Sequence, residues 1–194
     1  MDTPRFPVIA PGDDWVRQYS EIEEQQLARN LYALTQAVHD GVYRGRRLDL
    51  AFLGELHRGL FSGVRDHAGR HRRRDYGTEY LTFGPNRSLH RGQVESELGK
   101  IFEQFQRSFR SFHGKLEDPD YVEMAIKLAA WMHTQLIRIH PFEDGNGRSG
   151  RLFMNATLCR LACEPSHSRQ SSKNTTSVSI TTSRSMTPRR STIS

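Results

Sequence analysis

Two segments with helical spacing of apolar residues flank a short glycine-rich loop, and this pattern constrains the fold more than any other feature. Residues 118–139 predict the first helix, since Asp118 can cap it and Pro119 suits its first turn. The apolar face of this helix is expected to comprise Val122, Ile126, Ala129 and Met132, with Ala130 and Ile137 nearby. Pro141 disfavours the α conformation at the residue before it, so the helix should end near His140.

The second helix is predicted to begin near Asn146, because Leu152, Ala156 and Cys159 recur at helical spacing. Its free N–H groups and the positive end of its dipole would face the loop. Gly145 and Gly147 allow the backbone to approach an anion closely. Arg148 and Arg151 share one face of the helix, and two forked, charged donors suit the phosphates of a nucleotide. The segment therefore predicts a polyphosphate site.

Two further side chains suit chemistry on such a ligand. Asp144 is the better candidate for a Mg²⁺ ligand, because this ion is usually held by one or two carboxylates, phosphate oxygens and water. Glu143 is expected to point elsewhere, although the sequence leaves that choice open. His140 has an ordinary pKa of about 6.5, so it can accept a proton from a hydroxyl near neutral pH. Each signal alone is weak, since helix-end histidines are commonly caps.

The loop resembles the motif of the Fic family, HxFx(D/E)GNGRxxR, at every specified position. The matching residues are His140, Phe142, Asp144, Gly145, Asn146, Gly147, Arg148 and Arg151. The resemblance implies protein AMPylation, in which AMP passes from ATP to a Ser, Thr or Tyr hydroxyl and pyrophosphate is released. The intact Gly-Asn-Gly segment is similar to the nucleotidyl-transferring branch and differs from the Doc branch of kinases.

The resemblance also implies a role for each motif residue. His140 would be the general base that activates the target hydroxyl, and Phe142 would be the buried anchor of the loop. Asp144 would hold Mg²⁺. The nucleotide would be bound by Gly145, Asn146, Gly147, Arg148 and Arg151.

Upstream residues resemble the segment that precedes the active-site flap of this family. Residues 56–61 are similar to the family's helix, and residues 68–72 match its AG-x-x-R turn. Residues 80–87 predict a short strand and a Gly-Pro-Asn turn. The resemblance implies a β-hairpin that positions the target through Leu81, Thr82, Phe83 and Gly84, with an ordinary surface hairpin as the alternative. The arginine run over residues 70–73 is expected to be a solvated turn.

A segment near the N-terminus partly resembles the inhibitory helix of the family, (S/T)xxxE(G/N). Ser20 and Glu24 match this pattern, whereas Gln25 departs from it. If the segment is inhibitory, Glu24 should pair with Arg151. An acidic, solvated helix start is the alternative that the sequence favours.

The length of 194 residues suits one domain with tails. We expect a flexible segment over residues 1–13, an all-α Fic-type helical bundle with a small β-hairpin flap over 14–162, and a disordered tail over 163–194. The tail has five basic residues and one acid, which makes +4 of the formal +6. Because the charge lies mainly there, the sequence argues against a nucleic-acid-binding face.

The apolar pattern ends abruptly near Ala162, where Fic domains continue with further helices. We interpret this change as a truncation or a shifted reading frame, which would remove packing from the domain. No secretory signal and no run of eighteen apolar residues occur, so we expect a cytoplasmic protein without a membrane span. A toxin-like role, in which a separate antitoxin supplies the inhibitory Glu, is compatible with the sequence. Delivery as an effector stays open.

The resemblance implies ATP as substrate, Mg²⁺ as cofactor and a target protein with a hydroxyl side chain as partner. A separate antitoxin and a homo-oligomer are both compatible with the sequence. Two alternatives for the function stay open: a Fic-fold transferase with another nucleotide donor such as UTP, and a truncated, non-catalytic Fic protein.

Overall fold

The structure is a computed structural model that describes residues 19–112 and 118–162. In these ranges the chain forms five helices and one hairpin, which confirms the predicted all-α architecture with a small β element. The helices are α1 (Glu21–His39), α2 (Leu50–Leu60), α3 (Arg91–Arg110), α4 (Tyr121–Ile139) and α5 (Asn146–Ala162). Strands β1 (Thr82–Phe83) and β2 (Asn86–Arg87) pair antiparallel. The tails predicted for residues 1–13 and 163–194 lie outside the described residues.

Helix α5 lies at the centre of the fold and packs against α4, α1 and α2. Phe153 on this helix is buried, and its ring contacts Phe52 of α2 and Phe102 and Phe105 of α3. The centroid of the Phe153 ring is 5.6 Å from each of the two α3 rings. Burial of aromatic rings of this size is a main source of stability for such a core. The middle of α5 is therefore packed against several neighbouring helices.

The predicted helix before the loop was correct in its end and in the burial of Ala129 and Met132, but wrong in its first turn and in part of its apolar face. Helix α4 begins at Tyr121, after a turn in which the Asp118 carboxylate accepts a hydrogen bond from the Asp120 N–H (2.9 Å). The hydroxyl of Tyr121 donates to the Leu161 carbonyl (2.8 Å), which anchors α4 on α5. The buried face comprises Tyr121, Ala125, Leu128, Ala129, Met132, Leu136 and Ile139. The predicted face was wrong at Val122, Ile126 and Ala130, which are exposed because Tyr121 sets the rotation of the helix.

In the ranges that the structure describes, no helix has the length and apolar character needed to cross a membrane.

Candidate active site

His140 lies where the chain leaves α4, and its backbone has φ 54° and ψ 64°, which is the left-handed conformation. Its ring Nδ1 lies 3.2 Å from the Ile137 carbonyl oxygen. Because a carbonyl can only accept, Nδ1 carries the proton and Nε2 is left as the acceptor. Burial lowers the pKa of His140 from 6.5 to about 4, the Ile137 hydrogen bond opposes this shift, and the charge of Arg72 adds to it. The imidazole is thus neutral near pH 7.

The loop after His140 is closed by the side chain of Asn146, which is buried. The Phe142 N–H donates to Asn146 Oδ1, and Asn146 Nδ2 donates to the Phe142 carbonyl, both at 2.8 Å. Phe142 is 1% exposed, in agreement with its predicted role as anchor of the loop. These two bonds use the side-chain amide of Asn146 to shape the loop. The expected role of this residue was to bind nucleotide.

His57 on α2 contacts the loop through a hydrogen bond and a ring stack. The sequence analysis did not single it out as a site residue. Its Nδ1 accepts the Gly69 N–H (2.8 Å), so its Nε2 carries the proton and donates to the Asp144 carbonyl (2.9 Å). The ring also stacks on Phe142, with centroids 3.8 Å apart. Burial lowers the pKa of His57 to about 4. The sequence signal that could have identified His57 is its position inside a largely apolar helix.

The carboxylate of Asp144 is partly exposed at the start of α5. Arg148 Nη2 lies 3.4 Å from its Oδ1, and the Tyr19 hydroxyl donates to its Oδ2. The guanidinium of Arg148 lies 5.2 Å from the centroid of the Phe61 ring. Arg151 follows on the exposed side of α5, so the structure brings both motif arginines to the N-terminal end of one helix.

Gly145 is required by both its backbone and its surroundings. Its φ is +70°, and a Cβ atom there would lie 2.3 Å from the ring of Phe61. Glycine therefore lets the loop pass against α2 at this point.

The hairpin lies beside His140, as the predicted flap should. Its register pairs Thr82 with Arg87 and Phe83 with Asn86, and Gly84 is at the exposed tip. The Phe83 ring stacks on the His140 imidazole, with centroids 4.1 Å apart and planes 6° apart. Thr82 and Leu81 are half-buried next to it.

Glu143 points toward the base of the hairpin, in agreement with the expectation that it would point elsewhere than Asp144. It accepts hydrogen bonds from the Thr78 N–H (2.5 Å) and from the Thr78 hydroxyl (2.7 Å). Asp144 is thereby left as the carboxylate of the loop beside the motif arginines. In the described part of the chain, no group of three or more His, Cys, Asp or Glu side chains could hold a metal ion. A Mg²⁺ ion here would need phosphate oxygens and water in addition to Asp144.

The profile of the Fic/DOC family matches residues 47–158, more than half of the chain. The chain belongs to the Fic/DOC family. The matched region contains α2, the hairpin, α3, α4 and the motif loop, so the site lies within the Fic domain.

Curated relatives and solved structures agree with this assignment. The chain is 38% identical over 69 residues to the protein adenylyltransferase Fic of Drosophila persimilis, a match that covers 36% of this chain and 12% of that protein. The chain therefore spans only a small part of the length of this relative. The Fic domain of a VirB-translocated effector protein from Bartonella quintana, with bound ADP, has a TM-score of 0.53 at 20% identity, over 74% of this chain and 68% of that one.

A second solved structure is BepC, a VirB-translocated effector protein of Bartonella tribocorum with bound AMPPNP. It has a TM-score of 0.50 at 21% identity, over 69% of this chain and 67% of that chain. At this level of identity the two structures establish the Fic fold of the present chain.

The segment that partly resembles the inhibitory pattern forms the start of α1, ahead of the residues that the Fic/DOC profile matches. Ser20 is the N-cap, and Glu23 completes a capping box by accepting the Ser20 N–H (2.8 Å). Glu23 also pairs with Arg65. Glu24 is exposed, and among the described residues no ion pair joins it to Arg151. Of Glu23 and Glu24, it is thus Glu23 that caps the helix and pairs with a neighbouring segment.

The expectation of a solvated turn over residues 70–73 was wrong for Arg72. This side chain is fully buried in the Fic domain, where its guanidinium donates to main-chain carbonyls. Arg70 and Arg73 are exposed as expected, and Arg74 beside them is exposed as well. The sequence did carry a signal for this difference, because Arg72 is the arginine that the AG-x-x-R turn of residues 68–72 specifies.

Proposed function

We propose that this Fic domain is a protein adenylyltransferase that transfers AMP from ATP to a hydroxyl of a target protein. The observation that carries the proposal is His140, a neutral imidazole with Nε2 free to accept a proton, held beside the start of a helix that presents two arginines. Relatives named protein adenylyltransferase and neighbours that hold AMPPNP or ADP support a nucleotide at this place.

The proposed reaction is an in-line displacement at the α-phosphorus. The target hydroxyl oxygen forms a bond to this phosphorus as the bond to the pyrophosphate oxygen breaks. His140 Nε2 takes the hydroxyl proton, which a neutral imidazole can do near pH 7. Pyrophosphate leaves with the negative charge that develops on its bridging oxygen.

The start of α5 suits the charge of the triphosphate. Arg148 and Arg151 provide fixed positive charges, and the N-terminal end of α5 adds its dipole. Asp144 fits a Mg²⁺ ligand, since its carboxylate is partly exposed beside Arg148. Bound there, Mg²⁺ would neutralise phosphate charge. Gly147 keeps side-chain bulk away from the phosphates, Gly145 lets the loop pass against α2, and Asn146 keeps the loop in shape.

The hairpin is proposed to hold the target. A short exposed strand can pair with an extended peptide through main-chain hydrogen bonds. Leu81, Thr82, Phe83 and Gly84 form the side of the hairpin at His140, so a target segment paired there would bring its hydroxyl toward the imidazole.

The test uses the purified full chain, Mg²⁺ and a bacterial lysate, with ATP labelled at either the α- or the γ-phosphate. We expect protein bands labelled from α-labelled ATP and none from γ-labelled ATP, because AMP and not phosphate is transferred. His140→Ala should abolish the label, whereas His39→Ala, which removes an exposed histidine at the end of α1, should retain it.

Label from γ-labelled ATP, or label that persists in His140→Ala, would contradict the proposal. Competition by unlabelled UTP, CTP and GTP tests the alternative of another donor. If a folded chain binds ATP without transferring any label, the non-catalytic alternative is favoured.

A further inference from the structure

Arg72 is a buried cation whose donors are all used on main-chain carbonyls. Its side chain is 0% exposed. Burial lowers its pKa to about 10, and the negative charge of Glu143 opposes the shift. A guanidinium out of water is costly unless its N–H groups are all hydrogen-bonded. A protein retains such a group where its fixed fork of donors sets a geometry.

One part of this fork holds the backbone at His140. Nε and Nη2 of Arg72 donate to the His140 carbonyl at 3.0 and 2.7 Å, and Nη2 also donates to the Ile139 carbonyl at 3.2 Å. The main-chain N–H of Arg72 donates to the Pro141 carbonyl at 2.7 Å. Arg72 therefore binds the peptide planes on both sides of His140, and the orientation of these two planes defines the φ and ψ of that residue.

These bonds matter because His140 has an unfavourable backbone conformation. In the described ranges it is the one non-glycine residue with a positive φ. The left-handed conformation is unfavourable for a residue with a Cβ atom and persists only where the surroundings determine it. Arg72 provides these surroundings.

The other part of the fork holds both ends of the hairpin segment. Nη1 donates to the Thr78 and Glu79 carbonyls at 3.0 and 3.2 Å, before β1. Nη2 donates to the Leu89 carbonyl at 3.1 Å, after β2. One guanidinium thus connects the base of the hairpin to the backbone of His140.

We propose that Arg72 is a positioning residue that holds the His140 imidazole and the hairpin in one fixed relative geometry. The proposal rests on the proposed function, in which His140 is the base and the hairpin holds the target. The stack of Phe83 on His140 is the visible result of this geometry. Arg72 itself acts through the main chain and touches no reacting atom.

The first test compares Arg72→Lys with Arg74→Lys, a matched change at an exposed arginine two positions further along the chain. Lysine keeps the charge and loses the fork. We expect the rate of AMP transfer at saturating ATP to fall about 100-fold in Arg72→Lys, as for a base displaced by about 1 Å. The Kd for Mg·ATP, from calorimetry, should stay within about threefold, because no phosphate contact is removed. Equal losses in both quantities would overturn the proposal.

The second readout does not require activity. In histidine-labelled protein, the His140 ring signals are identified by their loss in His140→Ala. We expect these signals to shift or broaden in Arg72→Lys and to stay unchanged in Arg74→Lys. Unchanged His140 signals in Arg72→Lys would overturn the positioning role. If wild type gives no transfer and the signals still respond, the proposed function fails while the positioning role stands.

A measurement on the unmodified chain covers the case in which Arg72→Lys does not fold. If Arg72 holds His140, solvent exchange of its Nε–H should be slowed, relative to the rate in free arginine, at least as much as the His140 amide is slowed relative to an unstructured amide; this amide donates to the Leu136 carbonyl (2.9 Å). A slowing of the Arg72 Nε–H that is more than about tenfold smaller would contradict the proposal, because the arginine would then open while the histidine stays in place.

Discussion

At the scale of single residues, the site depends on a few residues whose close contacts allow no other residue type in their place. Gly145 passes against the ring of Phe61, and the Tyr19 hydroxyl meets the carboxylate of Asp144. Neither contact follows from the motif, which describes the type of each residue and not its neighbours. Both can be tested by changes of one methyl or one hydroxyl group.

Gly145→Ala is expected to destabilise the domain by about 2–5 kcal/mol, since left-handed strain adds to the overlap with Phe61. Gly99→Ala is the matched control, because Gly99 lies in α3 with open space around it and should gain about 0.5–1 kcal/mol. Urea unfolding of both variants measures these changes. A Gly145→Ala variant as stable as wild type would show that the loop can move away from α2.

Tyr19→Phe is expected to strengthen binding of Mg·ATP by about 2–10-fold, because the hydroxyl that occupies Asp144 Oδ2 is removed. The ring should stay in place, since the guanidinium of Arg65 lies 4.7 Å from its centroid. Tyr32→Phe, at a residue 70% exposed, is the control and should leave affinity unchanged. Calorimetric titration with Mg·ATP measures this change in affinity. Weaker binding by Tyr19→Phe would contradict the view that the Tyr19 hydroxyl competes with Mg·ATP for Asp144.

At the scale of elements, the sequence predicted the two helices around the loop and the hairpin, because each depends on local spacing and turn residues. The rotation of α4 could not be predicted, since it depends on the contact of Tyr121 with Leu161 of another helix. The short strands of the hairpin could be predicted, because they depend on neighbouring residues in the sequence. The place of the hairpin beside His140 could not, because it depends on the hydrogen bonds of Arg72.

Phe83→Ala tests the hairpin as an element. We expect transfer of AMP to a protein target to fall about 10-fold or more. The reason is that the variant lacks the ring that stacks on the His140 imidazole and, in the proposed function, lies beside the bound target. Affinity for Mg·ATP should be retained. Pro85→Ala, at the exposed tip of the turn, should behave as wild type. Loss of nucleotide affinity in Phe83→Ala would assign this ring to the nucleotide instead of the target.

At the scale of the whole molecule, two buried histidines link stability to pH. The pKa of His57 and of His140 is about 4 in the folded chain, against an ordinary value of 6.5. Protons therefore bind the unfolded chain more readily between these values. The stability that depends on neutral histidine is present above pH 6.5 and is lost as pH falls toward 4.

His57 alone should remove about 3 kcal/mol of unfolding free energy between pH 6.5 and pH 4, at about 1.4 kcal/mol for each unit of pKa shift. Urea unfolding at a series of pH values measures this slope. His57→Gln, which can still donate to the Asp144 carbonyl, should make the slope shallower, whereas His39→Gln at an exposed position should not. Equal slopes in wild type and His57→Gln would refute the assignment.

By itself the sequence determined the family, the helical class and the motif loop, because these depend on residue types at fixed local spacing. Only the tertiary structure decided which residues support that loop. Tyr19 and Asp144 are 125 positions apart, His57 and Asp144 are 87 apart, and Arg72 and His140 are 68 apart. The physical reason is that a buried polar group takes its partners from whatever the packing of helices brings near it, and local spacing carries no record of those neighbours.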